Sequence, residues 1–174
     1  MSKQLTGHER FFEPDELIVT KTDMTGRITY SNEVFQRMSG VTAKEALGAP
    51  HNLIRHPDMP RSVFKLLWDT IQSGGEIFAY VLNRASNGDH YWVFAHVTPS
   101  MQANGSVVGY HSNRRVPDRG VIERTIVPLY RELRAIEQRQ ASPRQAADAG
   151  AGRLHELLKS EGTDYEKFIF SLQG

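Results

Sequence analysis

The residue order predicts an α+β domain with an antiparallel sheet, followed by a helical extension. Three observations carry that prediction. Two β-rich runs come first, then several short helix signals, then three more β-rich runs, and segregated runs of this kind give antiparallel sheets. An Asn-Gly pair within "SNGD" joins two of those runs, a strong short-range hairpin signal. From Val116 onward the apolar spacing becomes that of a helix.

The elements follow in order. "ELIVTKT" reads as a strand, "DMTG" as a tight turn ending at Gly26, and "RITYSN" as a second strand. "NEVFQRMSG" is a short helix with Asn32 as N-cap and Gly40 as its stop. "TAKEALG" repeats the pattern, with Thr42 and Glu45 as a capping box and Gly48 as its stop. The stretch "ALGAPHNLIRHPDMPRSVF" holds too many prolines for a continuous helix. "MPRSVFKLLWDTIQSGG" is the longest helix of this half, with Val63, Phe64, Leu66, Leu67 and Ile71 on one face. "EIFAYVLNRA", "HYWVFAHVTPSM" and, after the turn "QANG", "SVVGYHSNRR" complete five strands.

The C-terminal part has a different pattern. Ile122, Ile126, Leu129, Leu133 and Ile136 form a heptad-like stripe suited to packing against another helix. Pro128 lies inside the stripe and is expected to kink or divide that helix. "ASPRQAADAGAG" reads as a linker from its small, polar composition. "RLHELLKSEG" and "TDYEKFIFSLQ" read as two short helices, the second opened by a capping box of Thr163 and Glu166. The expected division is an N-terminal segment over 1–15, the α+β domain over 16–117 and a helical extension over 118–174.

Composition excludes several functions. With 21 basic and 20 acidic residues in 174, the formal net charge of +1 gives no broad footprint for nucleic acid. There is no cysteine, hence no disulfide, thiolate nucleophile, zinc–thiolate site or iron–sulfur cluster. No apolar run approaches the roughly 20 residues that span a bilayer, and the N-terminus lacks a signal-peptide core. A cytoplasmic location is expected, with any inner-membrane association made through a partner.

The candidate chemistry gathers in few places. His51, His56 and Asp58 could in principle bind a metal, but their spacing matches no helical metal motif and Pro57 breaks the carrier, so no metal site is expected. Nucleophile motifs such as GxSxG and SxxK, GxGxxG and the Walker A loop are all missing, so no enzyme is expected. Asn83 is a polar residue in an apolar strand and needs partners for its amide if buried. Arg55 and His56 could contact an anion, and Trp68 could stack on a ring or simply fill core.

The phrases "SNEVFQRMSG", "GAPHNLIRHPDMP", "NRASNGDHYWV" and "GYHSNRR" resemble a PAS domain, specifically the FAD-binding aerotaxis-receptor type, over roughly Asp15–Pro117. The resemblance implies a PAS fold: a five-stranded antiparallel sheet with short helices on one face. It also implies FAD as cofactor, held by the "RHPDMP" loop through Arg55, His56 and Asp58, with His51 and Asn52 just upstream. Asn83 and Trp68 fall on the family's strand asparagine and helix tryptophan. The related LOV photoreceptors share the flavin-contacting asparagine, but their reactive cysteine has no counterpart here. Where the family often has "GEPWSG", this chain reads "GEIFAY", with Ile77 in place of Trp.

The implied function is a non-catalytic sensor that reports redox state, oxygen or energy status to a separate chemoreceptor or other signalling protein. Ending at Gly174, the chain resembles the stand-alone members of that class. Two other readings stand beside it. One is a heme gas sensor with His56 or His51 as axial ligand. The other is a ligand-free interaction module in which the heptad-like stripe pairs with a second copy, as a homodimer, or with a receptor helix.

Overall fold

The hairpin foreseen at Asn-Gly closes one end of an eight-pair antiparallel ladder. In the computed structural model, which describes residues 4–174, β3 (Ile77–Arg84) and β4 (His90–Met101) pair antiparallel from Ile77 opposite Val97 to Arg84 opposite His90. Gly88 in the connecting loop has φ +98°, and an added Cβ there would lie 2.1 Å from the Gln4 carbonyl oxygen, so glycine is required. With β1 (Ile18–Thr22), β2 (Ile28–Ser31) and β5 (Val107–Arg115), the sheet has the order β2-β1-β5-β4-β3, antiparallel throughout.

The short helices begin where their caps predict. In α1 (Glu33–Ser39), the Asn32 Oδ1 accepts from Phe35 N at 3.0 Å and from Val19 N at 3.0 Å, so one side chain starts the helix and ties it to β1. Gly40 ends the helix in the left-handed region at φ 65°. In α2 (Ala43–Ala46) the Thr42–Glu45 capping box is formed on both sides. A 3-10 turn over His51–Ile54 then leads into α3 (Arg61–Gln72).

Strand alternation assigns the two faces of the β3–β4 ribbon. Val81, Asn83, Ala95 and Val97 face α3, while Phe78, Tyr80, Trp92 and Phe94 face the opposite side. The short helices lie on the α3 side as expected, and the elements of the C-terminal extension divide between that opposite side and the outside of α3. The extension comprises α4 (Arg119–Val121), a π-helical turn (Ile122–Ile126), α5 (Val127–Glu137), α6 (Pro143–Ser160) and α7 (Tyr165–Ser171). Phe170 meets Phe78 at 5.0 Å between ring centroids, Tyr130 meets Trp92 at 6.0 Å, and the Tyr130 hydroxyl donates to the Tyr80 carbonyl at 2.5 Å.

Three expectations for the extension are corrected or narrowed. The segment read as a linker is the first half of α6, with Ala146 and Gly150 buried; its small residues permit close packing rather than flexibility. Most of the heptad-like stripe packs inside this chain: Ile122, Ile126 and Leu133 are at most 1% exposed, while Leu129 and Ile136 are partly buried. The cap of α7 is Asp164, whose carboxylate accepts from Lys167 N at 2.9 Å, one residue beyond Thr163. Pro128 is accommodated rather than disruptive. It sits in the first turn of α5, where its missing N–H is tolerated, directly after a π-helical turn.

Candidate functional site

Between the sheet and α3 lies a cavity of about 450 Å³, within the range of small-molecule pockets. β1 contributes Thr20 and Thr22, and α3 contributes Phe64, Leu67, Trp68 and Ile71. Val81, Asn83, Ala95, Val97, Tyr110, Ser112 and Arg114 come from β3–β5, while Pro143 and Ala147 come from α6. The wall is therefore mostly apolar, with a few polar groups at defined points.

Five of the sequence-predicted residues line this cavity: His51, Asn52, Arg55, Trp68 and Asn83. His56 and Asp58 do not. The His56 ring packs edge-on against His90 at 5.9 Å, its Nδ1 accepts from Asp58 N at 3.1 Å, and burial pushes its pKa down. The Asp58 carboxylate is 70% exposed. Ile54 and Arg55 both reach the cavity, whereas the chain from His56 to Asp58 leads away from it. Ile77 is likewise not among the lining residues; it lies buried opposite Val97.

Arg55 is fixed by backbone and side chain together. An antiparallel bridge joins its backbone to Asn83, its Nη2 donates to the Met59 carbonyl at 2.9 Å, and its guanidinium lies 5.2 Å from the Phe64 ring centroid. Burial, followed by the nearby Arg61, pushes its pKa down. The Arg55 Nε and the Asn83 Nδ2 are both buried without a hydrogen-bond partner. Trp68 meets Tyr110 edge-on at 5.6 Å and 87°, presenting a flat apolar wall.

Arg114 is the buried cavity residue that the sequence reading missed. It is 2% exposed, and its Nη2 donates to Thr20 Oγ1 and, at 2.7 Å, to His51 Nε2, while its Nε donates to Ser112 Oγ at 3.1 Å. Its Nη1 is buried without a partner. Burial pulls its pKa down to about 10. A guanidinium is always a donor, so His51 Nε2 must accept, and the imidazole is neutral. Burial and then the Arg114 charge push the His51 pKa down to about 3. The only advance signal was a charged residue within "GYHSNRR", a position ordinarily read as a solvated strand end.

Among the lining residues are Arg55, Arg61, Lys65 and Arg114 but no carboxylate, so the cavity is electropositive. It offers a flat apolar slot with donors along its sheet side. Among the described residues no carboxylate lines it, so it holds no acid–base pair of carboxylates; the Thr20 hydroxyl lies 3.1 Å from His51 Nε2, the nitrogen that also accepts from Arg114.

A sheet of order 2-1-5-4-3, with short helices over one face and a ligand-sized cavity beneath them, defines a PAS-type domain. The family model described as "PAS fold" matches residues 28–114, and the chain belongs to that family. It is 41% identical over 122 residues to the aerotaxis receptor of Escherichia coli (strain K12), covering 70% of this chain and 24% of that protein. The nitrogen fixation regulatory protein of Klebsiella pneumoniae is 25% identical over 103 residues, covering 59% of this chain and 21% of the regulator. The chain thus spans about a quarter or less of the curated relatives it matches. A light-oxygen-voltage domain studied with a flavin analogue superposes with a TM-score of 0.57 at 15% identity, over 67% of this chain and 87% of that one, a likeness of fold. Among the described residues, no helix is long and apolar enough to cross a membrane.

Proposed function

We propose that the chain is a sensory domain that holds FAD in this cavity and reports redox state, oxygen or energy status to a separate signalling protein. One observation supports this reading most directly: the unpartnered donors Arg55 Nε, Asn83 Nδ2 and Arg114 Nη1 belong to the wall of a single, largely apolar cavity. A buried donor left without a partner costs about 1–3 kcal/mol, and a flat heterocycle edged with acceptors removes that cost. The kinship with the aerotaxis receptor supports the same choice.

In this reading Asn83, Arg55 and Arg114 bind the acceptor edge, Trp68 forms the flat wall, and His51 and Asn52 close the end near β1. When bound, a flavin supplies a ring that exchanges electrons and changes its protonation. Neutral His51 accepts on Nε2, where it orients Arg114, and therefore carries its proton on Nδ1. Signalling then passes to a partner, such as a membrane-bound chemoreceptor, and no substrate is turned over. Heme is disfavoured by geometry, because His56 lies outside the cavity and His51 Nε2 is engaged by Arg114.

The visible spectrum after incubation with FAD and gel filtration tests this. Flavin absorption that co-elutes with the protein is expected. A chain that remains colourless with excess FAD overturns the reading.

A further inference from the structure

The N-terminus of α3 lacks a cap of its own. Pro60 precedes it and has no side-chain acceptor, so the first backbone N–H groups need a partner from elsewhere. Glu137, the last residue of α5, supplies it. Its Oε2 accepts from Arg61 N at 2.9 Å, and its Oε1 accepts from Ser62 N at 2.9 Å and from Ser62 Oγ at 2.8 Å. The residue is 3% exposed, and Arg134 Nη1 stands 3.6 Å from its Oε2.

Helix α6 closes over this contact. At Gly150 an added Cβ would lie 2.7 Å from Ser62 Oγ and 2.8 Å from Glu137 Oε1, so α6 approaches the cap as closely as backbone allows. The same helix, packed against α3, brings Pro143 and Ala147 to the cavity wall. One carboxylate therefore joins α5, the start of α3 and α6, and the last two of these helices both line the cavity.

We propose that α6 forms a movable cover over one side of the cavity, with Glu137, reaching from the end of α5 to the start of α3, as its catch. Releasing the catch lifts α6 and exposes the cavity. The proposal rests on the cavity being the ligand site, yet it is a statement about access and can be tested without any ligand.

The chain has no cysteine, so a single probe can be placed inside. Ala95→Cys puts a thiol at a cavity position that is 2% exposed. Its reaction with 5,5′-dithiobis(2-nitrobenzoate) is followed with and without Glu137→Ala, alongside hydrogen exchange of the β3–β5 amides. At least tenfold faster labelling with unchanged strand protection is expected. Gly150→Ala, which wedges α6 from the other side, is expected to accelerate labelling in the same direction. Equal labelling rates overturn the proposal. Faster labelling together with lost strand protection also overturns it, since the contact is then merely structural. If Glu137→Ala does not fold, Glu137→Gln, which keeps one acceptor, serves in its place. A parallel sample with FAD separates the two ideas: failure to take up FAD removes the ligand reading, while the labelling comparison still decides the cover.

Discussion

The two faces of one β-ribbon are built differently. On the side covered by α5 and α7, Phe78, Tyr80, Trp92, Phe94, Tyr130 and Phe170 interlock, and the Tyr80 carbonyl and hydroxyl both find partners. On the side under α3, Asn83 and Arg114 are as deeply buried, yet each keeps a donor without a partner. The aromatic face gains stability from dispersion and area. The cavity face gives some up; one hydroxyl, that of Tyr165, is unsatisfied on the α7 side too, but at the cavity Arg55 Nε, Asn83 Nδ2 and Arg114 Nη1 share one wall. The strands are shared, so backbone cannot account for the contrast; the alternate side chains do.

Three experiments would break or sharpen this contrast. The largest effect is expected on the aromatic face. Tyr80→Ala removes a fully buried ring and should cost about 3–5 kcal/mol by urea denaturation, as large-to-small core changes do. A loss below about 1 kcal/mol would mean that face is not the structural one.

The second effect is a pH slope from the cavity face. The fold keeps His51 neutral, with its pKa pushed from 6.5 to about 3, so below pH 6.5 the unfolded chain binds a proton that the fold refuses. Stability present above that pH is lost as the pH falls toward 3, by about 1.4 kcal/mol per unit. Between pH 6.5 and pH 5 the loss should approach about 2 kcal/mol, and His51→Gln should abolish that share of it. An identical slope in the variant would show that the imidazole is not held neutral by Arg114 and burial.

The smallest effect, and the one of opposite sign, is at Asn83. Asn83→Leu replaces an unpartnered donor with apolar volume and should stabilise the ligand-free chain by about 1 kcal/mol. FAD affinity should fall at least tenfold in equilibrium titration. A variant that is destabilised and still binds FAD as tightly would place Asn83 with the structural residues instead.

Much of this was legible in the sequence, wherever a local rule decides the outcome. Asn-Gly set the hairpin, Asn32 and Thr42 set two helix starts, and the five strands fall where β-rich runs lie. Asn83 stood out because an amide in an apolar strand requires partners. Where a distant segment decides, the sequence was silent. "ASPRQAADAGAG" has the composition of a linker, and only the nearness of Ser62 and Glu137 explains why Gly150 is small. Arg114 resembles any charged strand end until Thr20 and His51 are seen around it. His56 and Asp58 share a phrase with Arg55 but not its direction, which depends on the bridge from Arg55 to Asn83.

The π-helical turn at Ile122–Ile126 has a further consequence, which concerns counting. Each residue of a regular helix advances the chain by about 100°, and a wider turn shifts the phase of everything after it. Leu133 points into the core and Glu137 reaches α3 only because the correct number of residues precedes them. The register of that stretch matters more than its composition. A conservative substitution there leaves the angular setting of α5 intact, whereas a one-residue insertion or deletion would swing its buried stripe and its terminal carboxylate toward solvent together.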